Sequence, residues 1–385
     1  MKQIKLLNKI AHVGLQNFSK DEFEVSTTFD APDAIMVRSA DMHSMEFADN
    51  LAAIARCGAG VNNIPVEACA EKGIVVFNTP GANANGVKEL TIAALLLASR
   101  NIVSGINWAN TLESDVAKSV EAGKSKFAGC ELAGKTLGVI GLGAIGGMVA
   151  NAANAIGMNV IGCDPYISVE GAWNLSRAIK KANTYEEIFK EADYITLHVP
   201  STKDTKNMIN AGSIAMMKQG VKIVNLARAD LVCAADLKEA LADGHISAYV
   251  TDFPTEETIN TPGIVTIPHL GASTGESEDN CAVMAANQLI DFLNNGNIKN
   301  SVNYPNISMP RTEPYRLVIL HKNIPNIISQ VTSSLANQDV NIENMANRSK
   351  GNFACTLIDS NHEIKPETVA SIEAIDGVVK VTKIG

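Results

Sequence analysis

Short apolar runs rich in Val and Ile recur along the first eighty positions and alternate with segments of helical pattern. They read AIMVRS from Ala34, LAAIARCG from Leu51 and IVVFNTPG from Ile74, with the polar VEACAEKG between the last two. Runs of this length bounded by turn residues suit buried strands, and their alternation with helices builds a parallel sheet. A helix follows, because Leu90, Ala93, Ala94 and Leu97 fall at i, i+3, i+4 and i+7 in KELTIAALLLASRN, the spacing of one apolar face. Between Trp108 and Leu132 the pattern weakens into polar sequence with Ser and Lys, which predicts a connecting segment.

A second series opens at Lys135 with KTLGVIGLGAIGGMVANAANAIGMNVIGCDP and continues through YITLHVP, VKIVNLAR, HISAYVTDF and IVTIPHLG. Each is strand-like, and together they predict a second doubly wound sheet. Ala282, Ala285, Ala286, Leu289 and Leu293 then mark one face of a long amphipathic helix. The three prolines of NYPNISMPRTEP (303–314) interrupt regular structure and predict a linker. From Tyr315 the order strand, helix, strand, strand, helix, strand is the split arrangement of a ferredoxin-like unit. The expected fold is α/β: two doubly wound, Rossmann-like parallel sheets followed by an α+β ferredoxin-like domain.

Composition narrows the function classes. A chain of 385 residues, 46% hydrophobic and 19% charged, suits a globular enzyme of two or three domains. A formal charge of -9 offers no long-range attraction for nucleic acid or an anionic membrane, so an anionic substrate needs a local basic cluster. The seven cysteines are scattered and never form a CxxC pair, which predicts reduced thiols, a cytoplasmic location and no metal site. No apolar stretch is long enough to span a bilayer, and the amino-terminal segment lacks the apolar core of a secretion signal.

Gly141-Leu142-Gly143-Ala144-Ile145-Gly146 directly follows the strand TLGVI and opens a helix. In that context the glycines make the tight turn, admit a pyrophosphate and let helix and strand pack closely. Asp164 ends the next strand, eighteen positions after Gly146, close to the ~20-residue spacing of the acid that binds the adenosine ribose. A carboxylate there repels a 2′-phosphate, so the expected cofactor is NAD. Arg228, Glu256 and His269 lie at the ends of later strands, where a doubly wound sheet forms its ligand crevice. His12, His43, His198 and His245 are read as structural or solvated.

Taken together, GLGAIG, NLAR, FPTEE and PHLGAST in this order resemble the D-isomer-specific 2-hydroxyacid dehydrogenase family over roughly the first 310 residues. The resemblance implies a catalytic trio of Arg228, Glu256 and His269, and the chemistry suits those residue types. An imidazole accepts the hydroxyl proton near working pH, a carboxylate on its far nitrogen fixes the tautomer, and a guanidinium clamps the substrate carboxylate. Glu257 adjoins Glu256 and is its rival. Where the family reads Asp-Val-Phe this chain has Thr251-Asp252-Phe253, so the nicotinamide carboxamide contact is assigned to Asp252 with Thr251 as alternative. Leu226, Ala227, Gly271 and Ala272 complete the implied cofactor set. Arg38, Ser39, Gly60, Asn83 and Lys124 are the implied substrate contacts, with Arg38 and Lys124 supplying charge for a phosphate.

The final 70 residues resemble an ACT domain, a small-molecule-sensing module found at this end in family members that oxidise 3-phosphoglycerate. The resemblance therefore implies oxidation of 3-phospho-D-glycerate to 3-phosphohydroxypyruvate, the first step of L-serine biosynthesis. His321, Asn323 and Asn341 match positions that bind the effector L-serine, whereas Asn326 stands where a glycine is usual. The implied domains are 1–82 with 276–310 for substrate, 83–275 for NAD and 313–385 for regulation, in a homodimer or homotetramer. A hydroxypyruvate or glyoxylate reductase shares the trio without needing a phosphate site, and an NADH-sensing binding protein shares the fold.

Overall fold

The computed structural model describes all 385 residues, which divide into two compact units: Met1–Ala82 with Glu278–Gly385, and Asn83–Ser277. In the first unit five strands form a sheet in the spatial order Phe23–Ser26, Lys2–Leu6, Ala34–Val37, Ala53–Arg56, Val75–Phe77. All neighbours are parallel, so this is the 2-1-3-4-5 doubly wound order. The two strands nearest the amino terminus escape the apolar pattern because KQIKL and FEVS mix charge with apolar residues; each fully buries only one side chain, Ile4 and Phe23.

The same unit holds a four-stranded antiparallel sheet in the order Asn344–Lys350, Phe353–Ser360, Tyr315–Lys322, Val378–Ile384, the ferredoxin-like order of its strand, helix, strand, strand, helix, strand series. One face packs on its own helices through Leu317, Ile319 and Ile358. The other face contributes Val318, Leu320, Cys355 and Leu357 to the core around Ile4, Ala282, Leu289 and Phe292. The proline-rich stretch expected as a free linker is packed: Tyr304, Ile307 and Met309 are buried, and the Tyr304 hydroxyl donates to Ala70 O (2.8 Å). Proline stops regular structure without stopping apolar side chains from filling a seam.

Seven parallel strands form the second sheet, in the order Ile264–Thr266, Ile246–Thr251, Val221–Asn225, Tyr194–Leu197, Thr136–Ile140, Asn159–Cys163, Lys180–Lys181. The helix Ala84–Ser99 buries Val87, Thr91, Ala94, Leu95 and Ala98. The face expected from periodicity is therefore rotated, since Ala93 is exposed and Leu90 and Leu97 are half-buried. A helix apolar nearly all round gives periodicity no purchase. The expected connecting segment is itself helical, with Ile102–Ala109, Val116–Gly123 and a 3-10 turn at Lys124–Phe127. Helix Gly275–Asn295 buries Ala282, Ala285, Ala286 and Leu289 as its spacing predicts. No single helix is long and apolar enough to cross a membrane.

Candidate active site

Strand order in the seven-stranded sheet reverses between Thr136–Ile140 and Tyr194–Leu197, and the crevice at such a switch is where doubly wound sheets bind ligands. Gly141 turns the chain there with φ +90°, and a Cβ on it would sit 2.7 Å from His198 O. A Cβ on Gly146 would fall 1.8 Å from Gly141 O, so only glycine lets helix Ala144–Ala155 sit this close to the turn. Gly143 is exposed and a Cβ there would meet nothing within 4 Å.

Asp164 is held from both sides: Leu142 N–H donates to Oδ2 (2.9 Å) and Tyr166 N–H to Oδ1 (2.8 Å). A cleft of about 430 Å³ runs between the turn and this carboxylate, lined by Gly143, Ala144, Asp164, Tyr166 and Ile167. Each carboxylate oxygen retains lone pairs for hydroxyl donors. Ile145 is half-buried on the first turn of the helix.

Three further strands deliver the other side chains of this unit. After Val221–Asn225 the buried Asn225 organises the loop: its Oδ1 accepts from Ala227 N–H (3.1 Å) and Arg228 N–H (3.4 Å), and its Nδ2 donates to Arg228 O (2.8 Å). Leu226 is buried, Ala227 half-buried, and the Arg228 guanidinium is exposed, donating to Ala227 O (2.6 Å). After Ile246–Thr251 comes Asp252, 1% exposed, whose Oδ1 is buried without a hydrogen-bond partner. Burial raises its pKa despite His269, backbone N–H groups and Arg228, which all act to lower it. Thr251 is occupied differently, its hydroxyl oxygen accepting from Phe253 N–H (3.1 Å).

After Ile264–Thr266 comes His269, exposed, with its ring 4.5 Å from that of Phe253. The Arg228 guanidinium lies 5.8 Å from the same ring. Gly271 is buried and Ala272 half-buried on the loop that follows. Glu256 and Glu257 are both exposed on the loop after Phe253, and neither forms an ion pair or hydrogen bond with His269; Glu257 lines a cavity of about 390 Å³ with Phe253, Tyr249 and Asp230. Arg228, Asp252 and His269 are thus brought together, while Glu256 stands apart. Asn225 and Phe253 were not singled out by motif, although both flank motif residues.

In the first unit Arg38 and Arg56 end neighbouring strands. Asn8 Oδ1 accepts from the N–H groups of Arg38, Ser39 and Ala40 (2.9, 3.0 and 3.1 Å), fixing that loop. Arg38 pairs with Glu278. Arg56 Nε is buried without a partner, and burial lowers its pKa, with Arg38 acting in the same direction. Arg56 and the backbone of Gly58-Ala59-Gly60 share one loop, and a Cβ on Gly58 would overlap the guanidinium. Two cations beside each other, one with an orphaned donor, suit an anion. Arg56 was missed because a lone arginine in LAAIARCG reads as the end of a strand. In the second unit Asn83 precedes helix Ala84–Ser99 as its N-cap, and Lys124 is exposed and paired with Glu121.

In the ferredoxin-like part His321 is buried, its Nδ1 2.8 Å from Lys322 O and its Nε2 3.0 Å from Thr356 Oγ1. Asn323 Nδ2 donates to Gly351 O (3.1 Å), and Asn341 Nδ2 to Glu343 Oε1 (2.8 Å). Asn326 has φ +69° at the start of helix Ile327–Ala336, the left-handed conformation that a glycine adopts freely and an asparagine tolerates.

The turn, the aligned carboxylate and the orphaned Asp252 oxygen define a dinucleotide-binding α/β protein. Residues 92–271 match the model of the D-isomer specific 2-hydroxyacid dehydrogenase NAD binding domain. The D-3-phosphoglycerate dehydrogenase of Escherichia coli is 31% identical over 347 residues, 86% of this chain and 81% of that protein. The enzyme of the same name from Methanocaldococcus jannaschii is 38% identical over 347 residues, 87% of this chain and 64% of its own length. That from Archaeoglobus fulgidus is 37% identical over 288 residues, and the match spans 52% of its length. The chain therefore spans about half to two thirds of the length of these two relatives. An NAD+-bound 3-phosphoglycerate dehydrogenase structure from Entamoeba histolytica superposes with a TM-score of 0.59 at 28% identity, covering 78% of this chain and 98% of that one. This chain belongs to the D-isomer-specific 2-hydroxyacid dehydrogenase family.

Proposed function

We propose that the protein oxidises 3-phospho-D-glycerate to 3-phosphohydroxypyruvate with NAD, the first step of L-serine biosynthesis. The observation that carries this reading is the convergence of Arg228, Asp252 and His269 at the carboxyl ends of adjacent strands beside a dinucleotide turn. Bound NAD supplies the hydride acceptor. Asp164 would hold the adenosine ribose hydroxyls, Gly143 and Ala144 the pyrophosphate, and the free Oδ1 of Asp252 the carboxamide N–H. Leu226, Ala227, Gly271 and Ala272 would line the nicotinamide side.

Arg228 holds the substrate carboxylate through two hydrogen bonds and polarises the C2 oxygen. His269 takes the C2 hydroxyl proton as general base. Glu256 is assigned to steady the resulting imidazolium, a role that requires its loop to turn inward. Arg38 and Arg56 take the phosphate, helped by Ser39, Gly60, Asn83 and Lys124. The orphaned Arg56 donor favours a phosphorylated substrate over glyoxylate or hydroxypyruvate.

Residues 313–385 are proposed as an ACT module, with His321, Asn323 and Asn341 as contacts for L-serine. The left-handed backbone of Asn326 supports this, because the usual glycine conformation is kept. A second copy of the chain is the proposed occupant of the face carrying Leu96, Ile102, Val103, Ile106 and Val116, since helix Ile102–Ala109 buries none of its residues. Cytoplasmic residence belongs to the same reading.

The test is NADH oxidation across a panel of 2-oxo acids with and without L-serine. Preference for 3-phosphohydroxypyruvate is expected, lost selectively in Arg56→Ala; equal loss with unphosphorylated substrates overturns the phosphate assignment. Millimolar serine is expected to inhibit, less so in Asn323→Ala, and an indifferent wild type removes the effector role.

A further inference from the structure

Phe253 occupies an unusual place for a large apolar side chain. It belongs to neither apolar core of its unit and is only half-buried. Its ring is instead framed by two functional groups: the imidazole of His269 at 4.5 Å between centroids, tilted by 45°, and the guanidinium of Arg228 at 5.8 Å. Its backbone is fixed independently, because Phe253 N–H donates to Thr251 Oγ1 (3.1 Å) and Thr251 is buried in the strand end. The ring is thus anchored from the sheet and presented to both groups.

Neither group forms a hydrogen bond or ion pair with another side chain, and their one charged neighbour, Asp252, acts on both only through space. His269 is exposed and bonded to neither carboxylate of the 256–257 pair, and the one hydrogen bond of the Arg228 side chain goes to its own neighbour's carbonyl. An aromatic face attracts a guanidinium through its quadrupole, and an imidazole packs on an aromatic ring at this separation. Aliphatic side chains fill the same space without either attraction. The 390 Å³ cavity beside Phe253 leaves room for the ring to shift if it were there for packing alone.

We infer that Phe253 is a positioning residue, a single aromatic ring that sets the orientation of His269 and Arg228 toward each other. This rests on the dehydrogenase reading for its kinetic consequence, and not for its structural one. A base and a carboxylate clamp must act on the same carbon, and misplacement of such groups by about 1 Å costs on the order of 100-fold in rate. One ring touching both keeps their relative placement independent of the exposed loop that carries Glu256.

The experiment compares wild type, Phe253→Tyr, Phe253→Leu and Phe253→Met, with His269 resonances assigned through His269→Asn. Two readouts are taken: the ring-current shift of the His269 imidazole protons by NMR, and kcat and KM for 3-phosphohydroxypyruvate. Expected is an upfield-shifted imidazole in wild type and Phe253→Tyr that returns to its ordinary position in the Leu and Met variants. With it, kcat falls about 10- to 100-fold in the aliphatic variants and stays within about 3-fold of wild type in Phe253→Tyr. Tm and NADH affinity stay near wild type in all. Unshifted imidazole protons in the wild type, or aliphatic variants with wild-type kcat and KM, overturn the proposal. A wild type that turns over no 2-oxo acid overturns the dehydrogenase reading, and the NMR shift then decides the role of Phe253 by itself.

Discussion

At the scale of single residues the site is a set of unequal environments. Asp252 is the clearest, a carboxylate almost without exposure and with one oxygen unpartnered. Its folded pKa lies above the ordinary carboxylate value because of burial. The group therefore favours folding most fully below its unfolded pKa of about 3.9, and loses that contribution as pH rises through the folded value. Asp252→Asn removes the charge penalty and is expected to raise Tm at pH 7 by about 2–4 °C, the gain shrinking as pH falls toward 4. The same variant should bind NADH about 10-fold more weakly, since a neutral amide with one acceptor oxygen replaces a charged carboxylate with two. Scanning calorimetry across pH and fluorescence titration check both; an Asn variant with lower Tm and unchanged affinity contradicts them. His269→Ala should lower kcat by about 100-fold or more with NADH affinity nearly intact. Both proposed roles come from the family motifs in the sequence. The sequence preference for Asp252 over Thr251 is supported by the unpartnered Asp252 oxygen and by the engagement of the Thr251 hydroxyl with Phe253 N–H.

At the scale of elements the glycine turn separates two demands that one motif conceals. Gly146 is a packing requirement, because any Cβ would collide with the carbonyl of Gly141, whereas Gly143 borders open space. Gly146→Ala should therefore cost about 1–3 kcal/mol in denaturant unfolding as helix and turn part. Gly143→Ala should fold within about 0.5 kcal/mol of wild type yet lose NADH affinity, since its methyl group fills the approach to the pyrophosphate. Equal destabilisation by the two would refute the division. The strand and helix around this turn are plain in GVIGLGAIG. Strands Lys2–Leu6 and Phe23–Ser26 are not, because their partners in the sheet supply most of what makes them strands.

At the scale of the whole molecule, a buried ion pair joins two neighbouring strands of the ferredoxin-like sheet, and its arginine also ties the sheet to the segment that leads into it. Arg316 and Asp359 are both fully buried, Nε and Nη2 of the arginine meeting the two carboxylate oxygens at 2.5 and 2.8 Å. The remaining donors reach Asn295 O, Met309 O and Pro310 O at 2.8, 2.9 and 3.1 Å. Breaking such a pair strands a charge, so Arg316→Met should cost about 3–5 kcal/mol in chemical denaturation, and Arg316→Met with Asp359→Leu should recover much of it. A single variant that unfolds like wild type would show the pair to be dispensable. An arginine in YRLVILHK looks like a solvent-facing strand position, and nothing local signals its burial.

Sequence alone determined the two parallel sheets, apart from their amino-terminal strands, and the dinucleotide turn, because these depend on local periodicity and on a short motif whose spacing is its chemistry; it also supplied the roles proposed for Arg228, Glu256 and His269. Tertiary structure decided which face of helix Ala84–Ser99 is inside, that residues 303–314 are packed, that Arg56 stands near Arg38, and that Asn225 and Phe253 stand beside Arg228 and His269. Those outcomes depend on what lies across the space from a side chain, and chain neighbours carry no record of it. The exposed position of Glu256 is of the same kind: its place in FPTEE assigns a role, and only the path of its loop sets its distance from His269.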